Sequence, residues 1–191
     1  NDFPYAFGAW ATGYEYLSAA FERGLSDRSV HTIAMIVNSP GGMVTGCFEA
    51  ADAIFAARGA KRIVAYVADS AYSAAYALAS SASEIVTTRT AGVGSIGVVT
   101  YHIDASGAYA MEGLRKTYIF AGKHKVDGNE SEPLPDDVKA RIEERLQASY
   151  EVFVSTVARN RAMSAEDVRA TEALTYTAST AIEVGLSDRI G

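Results

Sequence analysis

Three short stretches of the 191-residue chain carry groups suited to acyl transfer. The first is Asn38-Ser39-Pro40-Gly41-Gly42, which closes an apolar run. Pro40 fixes a bend, and the two glycines free the backbone to approach a ligand closely. Amide N–H groups at such a strand-to-helix turn have the geometry of an oxyanion hole, although a plain βα connection uses the same residues. A phosphate loop is excluded, because Met43 and Val44 stand where Lys and Ser/Thr are needed. The second stretch, Asp69-Ser70-Ala71-Tyr72-Ser73-Ala74-Ala75-Tyr76, feeds a strand into a helix through small residues. A serine at that junction lies near the positive end of the helix, where developing negative charge is favoured. The competing role for Asp69 or Ser70 is an ordinary helix N-cap, which leaves Ser73 one turn inside. A serine nucleophile needs a base, and two candidates follow: His102, 29 residues after Ser73, and Lys125, 52 residues after it in Ala121-Gly122-Lys123-His124-Lys125. A lysine serves as a base only when uncharged, which requires burial, whereas a loop lysine by itself is a solvated charge.

The elements that must position these groups follow from apolar spacing. Tyr14, Leu17, Ala20 and Phe21 recur at helical spacing, with Gly24 as the stop and no strong strand before them. Thr32–Val37 is a continuous apolar run, read as a strand buried on both faces. Val44–Arg58 is helical, Arg62–Val67 is a second buried strand, and Ala71–Ser81 is an Ala-rich helix that packs tightly. Glu84–Thr88 is a third strand, and Gly94–Tyr101 is a turn followed by a fourth. A helix is expected from Ser106 to Glu112, a strand from Lys116 to Ala121, and a polar loop from Lys123 to Pro135. Asp136–Arg161 is a long amphipathic helix on Val138, Ile142, Leu146, Tyr150, Phe153, Val154 and Val157. Ser164 starts another helix with an acidic first turn, and a last one over Thr177–Val184 is stopped by Gly185. This alternation of strand, turn and helix predicts an α/β fold. No repeat or linker interrupts it, so residues 1–191 read as a single domain. The opening Asn1-Asp2-Phe3-Pro4-Tyr5 lacks an initiator Met, and residues before it are expected. Tyr5, Trp10, Tyr14 and Tyr16 are expected to pack.

Composition narrows the chemistry. With 49% apolar and 21% charged residues the chain is globular in type. A net charge of -6 with no basic block argues against nucleic acid and anionic membranes as partners. One cysteine and three scattered histidines point to no metal and no cofactor. No apolar run is long enough for a membrane span, so a cytoplasmic protein is expected. Cys47 reads as a small core residue.

Taken in order, these stretches resemble the signal peptide peptidase A family of serine peptidases, and most of all its short branch that includes phage-encoded head-maturation proteases. The resemblance rests on Asn38–Gly42, Ala71–Tyr76, Thr90-Ala91-Gly92-Val93-Gly94-Ser95-Ile96-Gly97-Val98, Gly122–Lys125, Tyr176-Thr177-Ala178 and Ala181–Asp188. It implies a Clp-protease/crotonase-like fold of repeated ββα units, with a mostly parallel sheet flanked by helices. It implies a Ser/Lys dyad with Ser73 as nucleophile and Lys125 as general base, and an oxyanion hole from Gly41, Gly42 and the Ala74 N–H. Lys123 would face the same side as Lys125 on an extended segment and is the alternative base. The resemblance further implies a peptide or protein substrate and a homo-oligomer whose active sites form where subunits meet. Through the phage branch it implies scaffold or capsid processing in a host cytosol or prohead, and through the wider family the processing of signal peptides. Where cellular members often carry Ser-Gly-Gly, this chain has Ser73-Ala74-Ala75, which narrows the approach to the oxyanion site. The small side chains of Ala71, Ala74 and Ala75 suggest small or apolar substrate residues beside the cleaved bond. Three rivals share the fold: a Clp-like Ser/His/Asp peptidase using His102 with Asp104 or a more distant acidic residue, a crotonase-type acyl-CoA enzyme, and a non-catalytic scaffold relative. The crotonase rival lacks a carboxylate near Ser73, since Glu84 lies past the far end of the helix.

Overall fold

A computed structural model of the chain describes the backbone of residues 3–6 and 9–191, with side chains from Thr12 onward. The packing expected of Tyr5 and Trp10 therefore lies outside the described residues. In chain order the elements are β1 Phe3–Ala6, β2 Ala9–Ala11, α1 Tyr14–Ser26, β3 Thr32–Ser39, α2 Cys47–Ala56, a 3-10 turn Ala57–Gly59, β4 Arg62–Tyr72, α3 Ala74–Ser80, β5 Glu84–Thr87 and β6 Gly92–Gly94. Then come α4 Ser106–Met111, α5 Asp136–Arg161, α6 Ala165–Ala170, β7 Thr175–Thr177, α7 Ala178–Glu183 and β8 Arg189–Ile190. The chain falls into two units: residues 1–97 with 151–191, and residues 98–150.

The first unit is built on β4. Its parallel partners are β3 along one side and, along the other, β5 beside its first half and β6 beside its last three residues. The six-stranded sheet runs β7-β6-β4-β5-β8 with β3 on the opposite flank of β4, and only the β6–β7 pair is antiparallel. This is the expected α/β class: a mostly parallel sheet flanked by helices, as in Clp-protease/crotonase-like folds. Central position explains the sequence of β4: Ile63, Ala65, Val67 and Ala71 are buried. β3 differs from expectation. Its residues alternate between exposed and half-buried, and Ile36 is 70% exposed, because one face of β3 is left uncovered among the described residues. The short pair β1–β2, unforeseen in the sequence, is antiparallel and joins Phe3 to Ala11.

Helix α3 is almost wholly buried: Ala74, Ala75, Tyr76, Ala77, Ala79 and Ser80 are all in the core. Small side chains let its backbone approach the neighbouring layer, and α2 packs on it. Burial leaves the carbonyls of its last turn without water, so they need protein donors. Arg58 supplies them: Nη2 donates to the Ser80 carbonyl and Nε to the Ser81 carbonyl, each at 2.7 Å. The same guanidinium lies 4.4 Å over the Phe55 ring and reaches the Asn160 carbonyl at 3.2 Å. Asn160 in turn donates to Ser80 Oγ and Ser81 Oγ at 3.0 and 2.9 Å, which ties α5 to the end of α3. At the C-terminal side, Tyr76 donates from full burial to the Leu186 carbonyl at 2.9 Å. Arg161 pairs with Asp188, whose carboxyl also accepts from the Ile85 N–H.

The helix expected over Ala71–Ser81 starts later, because β6 pairs with residues 70–72 and keeps them extended. The expected helix Val44–Arg58 likewise begins only at Cys47, after Gly46 takes a left-handed conformation. The fourth strand is confined to Gly92–Gly94, and residues 95–101 are irregular. β7 and β8 were too short and too polar for a strand pattern to show.

In the second unit α4 and the first part of α5 are helical, and the strand expected over Lys116–Ala121 is absent: those residues are exposed and join no sheet among the described residues. In α5, Val138, Phe153, Val154 and Val157 are buried as the periodicity predicts. Ser164 caps α6 through its hydroxyl, which accepts from the Asp167 N–H at 3.0 Å. No helix among the described residues is long and apolar enough to cross a membrane.

Replacing Arg58 by Met keeps the stem on Phe55 but strips the donors from buried carbonyls. The expected cost is about 3 kcal/mol, read as a lowered urea midpoint with the slope unchanged. A midpoint equal to wild type would show that the α3 terminus is not held by this cation.

Candidate active site

The carboxyl ends of β3, β4 and β6 come together, and their loops build the candidate site. Ser39 of β3 is in register with Ala71 of β4, and Tyr72 of β4 with Gly94 of β6. Ser73 follows directly, at φ 52° and ψ -125°. That is a left-handed position that L side chains rarely occupy, and it turns the chain from strand into α3. The strain is held by hydrogen bonds on both sides of the residue. The Ser73 N–H donates to the Gly94 carbonyl at 2.9 Å, and the Ser73 carbonyl accepts from Tyr76 and Ala77 at 2.8 and 3.1 Å. Ser73 Oγ has no hydrogen-bond partner among the described residues.

Gly41 packs against that serine. A Cβ on Gly41 would lie 2.9 Å from Ser73 Cβ and 3.4 Å from its Oγ, and Gly41 itself is at φ +132°. Only glycine satisfies both demands. The Gly41 N–H donates to Ser39 Oγ at 3.2 Å. The Gly42 N–H and the Ala74 N–H, by contrast, have no acceptor among the described residues. Gly42 and Ala74 are neighbours: a Cβ on Gly42 would stand 3.9 Å from Ala74 Cβ. Ser73, Gly41, Gly42 and Ala74 are thus gathered in one place. A half-buried hydroxyl with unspent amide donors next to it is equipped to attack a carbonyl and bind the oxyanion formed.

Behind this turn lie Tyr14 and Cys47. The Tyr14 hydroxyl donates to the Met43 carbonyl at 2.7 Å. The Cys47 thiol reaches the Ala74 carbonyl at 3.5 Å. Burial, more than any neighbour, pushes the Cys47 thiol up to about 11, so it is an inert core group. Two supports of the site escaped the sequence. Gly94 lends its carbonyl to Ser73, a role hinted at only by the Gly94-Ser95-Ile96-Gly97 turn. Tyr14 reaches the glycine turn from another helix, and no spacing rule could have shown it.

Lys125 belongs to the second unit. It lies in a run of turns over residues 121–128, donates its backbone N–H to the Gly122 carbonyl at 3.0 Å, and is exposed. Its ammonium has no hydrogen-bond or ion-pair partner among the described residues. Lys123 is exposed as well. His102 is half-buried with Nε2 donating to the Asn129 carbonyl at 2.8 Å. Asp104 does not orient that imidazole: its carboxylate accepts from the Ser106 N–H at 2.9 Å and is held below the usual range chiefly by Ser106. Glu84 is occupied by Arg189 and Arg62, whose hydrogen bonds lower its pKa.

Comparison with known proteins bears on this arrangement. A model of peptidase family S49 matches residues 56–191. Over 179 residues the sequence is 37% identical to the head-tail preconnector protein GP5 of Enterobacteria phage P21, covering 94% of this chain and 36% of that protein. It is 38% identical to the capsid assembly protease C of Escherichia phage lambda, covering 94% of this chain and 41% of that one. The chain therefore spans well under half the length of these two phage proteins. Among solved structures, a membrane-bound stomatin-specific protease in complex with a substrate peptide matches at a TM-score of 0.58 and 14% identity, over 93% of this chain and 68% of that one. A peptidase from Plasmodium falciparum matches at 0.55 and 13%, over 93% and 89%. These two likenesses concern the fold. The family match takes in β4, Ser73 with the start of α3, and Lys125, and the chain belongs to peptidase family S49.

Proposed function

We propose that the chain is a serine endopeptidase that cleaves peptide bonds through an acyl-enzyme on Ser73, with Lys125 as general base. The observation that carries this reading is the strained Ser73 turn. A free hydroxyl is presented beside two unspent amide donors, those of Gly42 and Ala74, with Gly41 leaving room for the serine side chain. The neutral Lys125 amine takes the Ser73 proton as Oγ attacks the carbonyl carbon. The Gly42 and Ala74 amides bind the oxyanion. Lys125 then returns the proton to the leaving amine, and water hydrolyses the ester by the reverse route. Each oxyanion donor contributes about 3 kcal/mol of transition-state stabilisation. Gly41 contributes space more than a donor, since its N–H is already given to Ser39 Oγ.

A base role requires an uncharged amine, and Lys125 is exposed in the single chain. A homo-oligomer in which a neighbouring subunit covers Lys125 meets that requirement. Val99, Met111 and Ile119 of the same unit are 90%, 86% and 97% exposed, large apolar side chains suited to burial against another copy. By likeness to the lambda capsid assembly protease, the substrate proposed is a scaffold or capsid protein in the prohead, with no cofactor and no metal required.

Ser73→Ala is expected to lower kcat/KM on a peptide substrate by about ten thousand-fold or more, and Lys125→Ala by a comparable factor, while His102→Ala stays near wild type. A dead His102→Ala with an active Lys125→Ala would replace the dyad by a His-based site. A second expectation concerns where the base comes from. If Lys125 serves the Ser73 of a neighbour, an equal mixture of Ser73→Ala and Lys125→Ala subunits, unfolded and refolded together, regains activity at about a quarter of its sites. Within-subunit pairing predicts no recovery.

A further inference from the structure

The segment Gly42–Gly46 carries one of the two amides of the oxyanion site, yet it has little packing of its own. Met43 is 75% exposed and Val44 is exposed too. Its internal bonds are sparse: Cys47 donates to the Val44 carbonyl and Ala50 to the Gly46 carbonyl, both into the start of α2. Among the described residues, one group from outside residues 39–50 hydrogen-bonds to residues 41–46, and that is the Tyr14 hydroxyl on the Met43 carbonyl at 2.7 Å.

Tyr14 is the first residue of α1, and its ring lies directly under the segment. A Cβ at Gly46 would meet the Tyr14 ring at 3.3 Å, and Gly46 is at φ +85°. A Cβ at Gly42 would lie 2.9 Å from the Tyr14 oxygen, while its next neighbours, Tyr14 Cζ and Ala74 Cβ, are at an ordinary 3.8 and 3.9 Å. The phenol is half-buried, and burial followed by the nearby Cys47 keeps it protonated far above neutral pH, so it remains a donor. Cys47 links the same phenol to the other half of the site, through its contact with the Ala74 carbonyl at 3.5 Å.

From this placement we infer that Tyr14 is a positioning residue for the oxyanion site: its hydroxyl clamps the Gly42–Gly46 segment and so holds the Gly42 N–H beside Ser73 and Ala74. The inference rests on the peptidase reading of Ser73. Tyr14 touches no substrate in this role. It acts through Gly42, and its effect belongs to the transition state, when the oxyanion exists.

Tyr14→Phe keeps the ring and removes the donor. Measured on the full-length protein, labelling of Ser73 by a fluorophosphonate and kcat on a peptide are expected to fall about tenfold, with KM within twofold and an unchanged circular dichroism spectrum. A merely structural phenol would change thermal stability without that split between kcat and KM. Gly42→Ala places a methyl group against the phenol oxygen, and labelling is expected to fall about a hundredfold. In the Tyr14→Phe background the obstructing oxygen is gone, and Gly42→Ala then labels at the rate of Tyr14→Phe alone. Wild-type labelling by Tyr14→Phe overturns the inference, and so does a Gly42→Ala defect that persists undiminished in that background. Wild-type protein that takes up no label at Ser73 overturns the peptidase reading, and the inference with it.

Discussion

The structure around the candidate site depends on one constraint: a serine kept at a positive φ. Left alone, an L residue at φ 52° and ψ -125° relaxes into the β or right-handed α region, because so sparsely populated a conformation costs about 1–3 kcal/mol. Here relaxation would break the bond from the Ser73 N–H to the Gly94 carbonyl and disturb the two that close the first turn of α3. The outsize length of β4 follows from the same constraint. Its first half pairs with β5, and its last three residues need a further strand, β6, whose end presents that carbonyl. Gly41 completes the arrangement from the other flank, by lacking the atom that would strike Ser73.

The helix that starts at this serine is anchored at its far end. α3 is only seven residues long and buried, so propensity alone could not hold it. Its last carbonyls are taken by Arg58, a cation where the helix dipole favours one. Burial lowers the pKa of that guanidinium first, and Arg161 and Arg159 lower it further, yet guanidinium remains charged at any pH of interest. Asn160 and the hydroxyls of Ser80 and Ser81 complete the polar end. Ser80 and Ser81 are fully buried, and both also donate to the Ala77 carbonyl, so none of this polarity is left unpaired. Tension at Ser73 can therefore be sustained, because the element it opens into is fixed at both ends.

Much of this was legible in the sequence, for identifiable reasons. Arg62–Val67, Asp136–Arg161 and the Ser164 cap are long or chemically specific signals, and the structure has them. The turn Asn38–Gly42 and the junction at Ser73 announce themselves through proline, glycine and small residues, whose backbone demands are local. What failed was non-local. Ala71 and Tyr72 have helix-compatible neighbours, but pairing with β6 overrides propensity and keeps them extended. Ile36 looks buried by type, and only tertiary packing reveals that its face of β3 is uncovered among the described residues. Lys116–Ala121 has a strand composition, yet no strand pairs with it. Tyr14 and Gly94 act on the site across distances in sequence that no periodicity records.

The same electrostatic logic separates the lysines of the second unit. Lys116 is held by the Glu130 carboxylate at 2.6 Å and by the Tyr109 hydroxyl at 3.0 Å, and these bonds raise its pKa. A cation so paired gives up its proton less readily and makes a poorer base. Charges around Lys125 are likewise committed to one another: Asp127 accepts from Arg141 and His124, and Asp137 from Arg141. No carboxylate is within ion-pair distance of Lys125 among the described residues. A base at this position needs its water displaced, and Ile119 and Phe120, near it in sequence, are exposed apolar side chains that another copy could cover. The base role proposed for Lys125 therefore stands or falls with the covering copy proposed alongside it.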